Sequence, residues 1–117
     1  MTKERFENWD YDVIDEMRNE DYNVEPQVTM GVTYSPYTDQ YPYEVVEVIN
    51  EKKIKVRKLD WKATKENGVY TGDCELFSNE DNEVVELKKL KYGWKRKSKD
   101  TGNWCVGIAE RYEDPSW

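Results

Sequence analysis

At 117 residues the chain is long enough for one compact domain with its own core and too short for two ordinary ones. Its 37% charged residues resemble a disordered composition, but 14% aromatic residues with frequent Val and Ile supply the apolar area that folding requires. The lack of histidine removes the commonest general base and zinc ligand, and a net charge of −7 opposes nucleic acid and membrane surfaces as partners.

No stretch approaches the roughly 18 apolar residues of a membrane span, and MTKERFENWD lacks the apolar centre of a signal peptide. A cytoplasmic protein is expected. The acidity is uneven: residues 1–25 carry nine acidic and three basic residues, against sixteen and fifteen in residues 26–117. The chain therefore divides into an acidic N-terminal helical segment, 1–25, and a β domain, 26–117.

In the first segment Phe6, Trp9, Val13 and Met17 recur at three- and four-residue intervals, with Ile14 alongside, which predicts an amphipathic helix over about residues 3–20. Thr2 is the expected N-cap, Glu4 and Glu7 suit the positive end of the helix dipole, and Pro26 closes the segment. From Val28 the period changes to two, and VTMGVTY is the first expected strand. YSPYTDQYPY, residues 34–43, then forms a long tyrosine-rich loop before the next strand.

YEVVEVIN and KIKVRKLDW, separated by Glu51 and Lys52, predict an antiparallel hairpin with Val46 and Val48 facing Ile54 and Val56. KATKEN reads as a connection to the strand GVYTGDCELF, and the polar SNEDNE as a turn before VVELKKL. YGWKRK and NWCVGIA, joined by SKDTG, predict a second hairpin with Trp94 inward and Lys95 and Lys97 exposed. The class is mainly β (α+β): a small SH3-like barrel or strongly bent antiparallel sheet with an N-terminal amphipathic helix. Trp117 is expected to fold back onto its body.

TDQYPYEVVEVI, KIKVRKLDWKAT, GWKRK and VGIAERYEDPSW together resemble a family of small proteins encoded by tailed phages and prophages. The resemblance covers about residues 28–117. Asp39, Tyr43, Val45, Val46, Glu47 and Val48 match its first block, and Gly93, Trp94, Gly107, Tyr112, Asp114, Pro115 and Trp117 match its second. It implies a phage origin and supplies no activity; the acidic segment lies outside it.

Three constellations bear on function. Tyr34, Tyr37, Tyr41 and Tyr43, with Asp39 among them, occupy a loop of the kind that carries the aromatic recognition surface of SH3 domains, or else cap the barrel end. Pro36 and Pro42 hold that loop extended, with Tyr37 and Tyr41 exposed and Tyr34 and Tyr43 the more buried pair. Lys88–Lys99 holds seven basic and no acidic residues around Tyr92 and Trp94; Lys95, Arg96 and Lys97 are its candidate contacts to phosphate or nucleic acid, unless the run is simply a solvated face over a buried tryptophan. Asp10, Asp12, Asp15, Glu16, Glu20 and Asp21 offer an acidic helix that imitates DNA phosphates, docks on the chain's own basic hairpin, or only covers the barrel.

SNEDNE lacks the central glycine and twelve-residue spacing of a calcium loop, so no metal site is expected. Cys74 and Cys105 are expected as reduced, semi-buried thiols without a CxxC partner or an activating histidine. No cofactor is expected. These features point to a non-catalytic phage accessory protein that binds a host protein in the bacterial cytoplasm through Tyr34, Tyr37, Asp39, Tyr41 and Tyr43. Sequestration of a small nucleotide-like ligand is the alternative, and nucleic-acid binding or DNA mimicry the third.

Overall fold

A computed structural model describes residues 4–18, 24–36, 39–91, 93–96 and 102–110, with residues 66 and 70–73 described by their backbone. In chain order, strand β1 (Glu4–Phe6) and helix α1 (Tyr11–Met17) precede β2 (Gly31–Ser35), β3 (Tyr41–Asn50), β4 (Lys53–Lys58) and β5 (Asp60–Glu66). Then come β6 (Val69–Ser78), β7 (Val84–Leu90), β8 (Gly93–Lys95) and β9 (Asn103–Gly107). Six of these strands close an antiparallel barrel in the order β2-β3-β4-β7-β8-β9, a small SH3-like barrel, and the other three form a sheet in the order β1-β6-β5. Among the described residues no helix is long and apolar enough to cross a membrane.

Strand alternation fills the barrel. Val32 on β2, Tyr43 and Val45 on β3, Ile54 and Val56 on β4, Val85 and Leu87 on β7, Trp94 on β8 and Trp104 on β9 are all buried in one cluster. Successive side chains of a strand point to opposite faces, so the polar residues between them face out.

The β3–β4 hairpin turns at Glu51 and Lys52 as its spacing predicts, and Val48 does face Ile54. Val56, however, meets Val45 rather than Val46, because the register shifts between Val45 and Glu47. The extra residue at this bulge turns Val45 into the core, and beyond it Val48 remains 37% exposed.

KATKEN is not a connection. It lies in β5 and the turn after it, paired along β6, with Asn67 and Gly68 at φ 51° and 80° forming the turn. Two successive left-handed residues of this type make the tight hairpin turn that Asn-Gly favours. KIKVRKLDW accordingly is not one strand: it breaks at the buried Leu59, where the chain leaves the barrel for the second sheet. Phe6, Leu59, Leu76 and Ala109 form a separate small core there.

The N-terminal helix is much shorter than residues 3–20. Residues 4–6 pair with Leu76–Ser78 as a strand, and the helix begins only after Asp10, whose carboxylate accepts the Asp12 N–H at 2.9 Å. Asp10 therefore holds the capping role expected of Thr2, which lies outside the described residues. Of the expected apolar stripe, Val13 is 45% exposed, whereas Ile14 is fully buried and joins Val24 in the barrel core. Asn8 ties this segment to the end of the chain: its amide donates to the Ala109 carbonyl at 2.9 Å and accepts the Ala109 N–H at 2.7 Å.

The remaining strands follow the sequence more closely. β6 and β7 cover GVYTGDCELF and VVELKKL within a residue or so, while β2 starts at Gly31 because Val28 and Thr29 form a turn. β8 is only three residues long. Residues 111–117, including Trp117, lie outside the described residues.

Candidate functional site

The start of β3 and the end of β2 bring the tyrosine loop to one end of the barrel. Tyr34 pairs with Tyr41 across β2–β3 and with Trp104 across β2–β9, and directly opposed residues of antiparallel strands point to the same face. Tyr34 stacks on Trp104 with ring centres 4.3 Å apart and planes at 24°. Tyr43 meets Trp104 edge-on at 4.9 Å and lies in the core, so it anchors the cluster from within. Gly102 lets the backbone pass flat against the Tyr34 ring; a Cβ there would collide with it.

Two cations join the rings. The Arg96 guanidinium lies 5.5 Å from the Tyr34 centroid and 6.0 Å from that of Trp104. Lys58 Nζ lies 5.5 Å from the centroids of both Tyr41 and Trp61, whose rings are 6.5 Å apart. Trp61 is 38% exposed. At these distances a cation is attracted to the ring faces, which fixes Lys58 and Arg96 beside an aromatic surface rather than leaving them to wander.

Of the residues singled out in the sequence, Tyr34, Asp39 and Tyr41 are half-buried, Tyr43 is buried and Arg96 is exposed. Tyr37 and Lys97 lie outside the described residues. Tyr41 is less exposed than its place in the loop predicts, because it begins β3 and packs beside Trp61. Lys95 is half-buried rather than exposed: its ammonium donates to the Gly102 carbonyl at 2.6 Å, tying β8 to the residue just before β9. Lys95 is thus turned to Gly102, while Arg96 joins the cluster of Tyr34 and Trp104.

Lys58, Trp61 and Trp104 enter this site without having been legible as members of it. Trp61 reads as the end of a β4 strand, and only the break at Leu59 places it next to Tyr41. Trp104 alternates with Cys105 on β9, so the tryptophan turns inward and Cys105 is exposed rather than semi-buried; Cys74 is intermediate.

In the acidic segment Asp10, Asp12, Asp15 and Glu16 are exposed. Asp10 caps α1, Asp15 lies 3.7 Å from Arg18, and Glu20 and Asp21 lie outside the described residues. In SNEDNE, the amides of Asn79 and Asn82 donate to the Asp60 carboxylate at 3.0 and 2.9 Å, closing the corner between the barrel and the second sheet. Among the described residues no group of three or more Cys, Asp or Glu is placed to hold a metal ion. The arrangement offers half-exposed rings and fixed cations, which is chemistry for recognition. The chain matches no family model, no curated protein and no solved structure.

Proposed function

We propose that the chain is a non-catalytic binding module that grips a protein partner through the aromatic end of its barrel. The observation that carries this reading is the pairing of partly exposed rings with fixed cations at Tyr41, Trp61 and Lys58, continued by Tyr34 and Arg96. Aromatic and arginine side chains dominate the energetics of protein interfaces, and rings already held on paired strands, Tyr34 and Tyr41 on the barrel and Trp61 on the second sheet, lose little freedom when a partner covers them. Asp39 adds an acidic group at the loop. The resemblance to phage proteins supplies the context, a protein of the bacterial host met in the host cytoplasm.

The test is capture from bacterial lysate on the immobilised full chain, followed by affinity measurement with the purified partner. Trp61→Ser is expected to weaken binding at least tenfold while the melting temperature stays within a few degrees, because Trp61 stands at the exposed rim. A folded Trp61→Ser variant that binds the captured protein with unchanged affinity would sink the proposal.

A further inference from the structure

At the far end of β3 from Tyr41, the β3–β4 turn meets the last residues of β7 around an open groove of about 480 Å³. Lys52, Lys53, Lys88 and Lys89 line it, with Glu51 and Leu90. The turn is fixed: Asn50 Oδ1 accepts the Lys52 N–H at 2.8 Å, and the Lys52 carbonyl accepts the Lys89 N–H at 2.8 Å. Lys53 stands directly opposite Lys88, and Lys88 opposite Lys95, so one rung of the barrel carries lysine on three neighbouring strands.

Like charges directly opposite each other in a sheet are destabilising. Among the described residues no carboxylate comes within ion-pair distance of Lys52, Lys53, Lys88 or Lys89, whereas Lys55, two residues beyond the groove lining, is paired with Glu47 at 3.7 Å. In a chain of net charge −7, a groove lined by four lysines and a single carboxylate, Glu51, carries a local positive excess that an anion relieves.

We propose that this groove is a binding site for a compact oligophosphate anion whose phosphate groups are held by Lys52, Lys53, Lys88 and Lys89. Ammonium groups are point charges with three rotatable donors each, suited to clustered phosphate oxygens. The site favours a compact anion over a nucleic-acid strand. Among the described residues no aromatic ring lines the groove to stack a base, and the excess of acidic residues elsewhere repels a long polyanion that runs past it.

Calorimetric titration of the full chain with inorganic triphosphate tests the site, with a nucleoside triphosphate and a single-stranded oligonucleotide as parallel arms. Triphosphate is expected to bind, to raise the melting temperature, and to bind more weakly as salt increases. Equal affinity for triphosphate and the nucleoside triphosphate would show that phosphate alone is recognised; tighter nucleoside triphosphate binding would identify the terminal phosphates of a nucleotide as its source. Lys53→Gln with Lys88→Gln should lower the affinity at least tenfold and leave the ligand-free protein no less stable. Lys62→Gln with Lys65→Gln, on β5, makes the same charge change and should leave the affinity as it was. Equal losses in the two double variants, triphosphate binding no tighter than orthophosphate, or tighter binding of the oligonucleotide than of triphosphate would each overturn the proposal.

Discussion

Glu44 is buried although it lies on the outward side of β3, between the inward-facing Tyr43 and Val45. It pairs across the strands with Arg57, whose Nη2 donates to one carboxylate oxygen at 2.5 Å, and the Ser78 hydroxyl donates to the other at 2.7 Å. The guanidinium is itself largely buried, and its Nε has no hydrogen-bond partner among the described residues. Removing the carboxylate therefore strands a positive charge in a poorly solvated place. Glu44→Ala is expected to cost about 3 kcal/mol, the lower end for a broken buried pair because Arg57 retains some contact with water. Replacing both partners with Met should cost much less, and urea unfolding of the single and double variants measures the difference; equal costs would show that the pair does not act as a unit. Strand alternation correctly separates Glu44 from Val45, yet it gives an outward residue on the barrel's outer face, where a glutamate is expected to be solvated. Its burial depends on Ser78 and a second sheet, which local alternation does not reveal. The same holds for Tyr41, whose neighbour Trp61 arrives on a strand that composition conceals.

That strand, β5, reads DWKATKE: mostly polar, without the run of β-branched residues that marks the barrel strands. Its partner β6 and the turn between them hold it in place. The informative residues were Asn67 and Gly68, a dipeptide whose backbone freedom specifies a two-residue hairpin even when the flanking sequence is weakly strand-like. The acidic segment shows the converse error, since its apolar spacing suits a long helix while β6 offers ladder hydrogen bonds to residues 4–6 and Asp10 starts the helix late. Gly68 has φ 80° and open space around the position of a Cβ, so a substitution meets backbone strain without a collision. Gly68→Ala is expected to cost about 1–2 kcal/mol, the penalty for an L-residue in the left-handed region. Hydrogen exchange should show the loss confined to β5 and β6, with the barrel amides protected as before. Faster exchange throughout the barrel would instead mean that hairpin and barrel open as one unit.

Across the whole molecule, the barrel was the most legible feature, because the alternation in KIKV, VVEL and NWCV survives in Ile54, Val56, Val85, Leu87 and Trp104 as its interior. Composition alone suggests that residues 1–25 are an acidic attachment to that barrel. The contacts run the other way: Phe6 belongs to the second core, Ile14 and Val24 join the barrel core, and Asn8 clips the chain at Ala109. Each fully buried side chain of this size contributes about 1.5–3 kcal/mol, so three of them approach the whole stability of an ordinary small domain, about 5–15 kcal/mol. Deleting residues 1–25 also bares the barrel residues that Ile14 covers and leaves β6 as an unprotected edge. The truncated chain, residues 26–117, is therefore expected to lose most of its stability. Its thermal unfolding should be broad or absent at a temperature where the full chain melts cooperatively. A sharp transition within a few degrees of the full chain would show that the barrel stands alone, and that the N-terminal segment rests on it without supporting it.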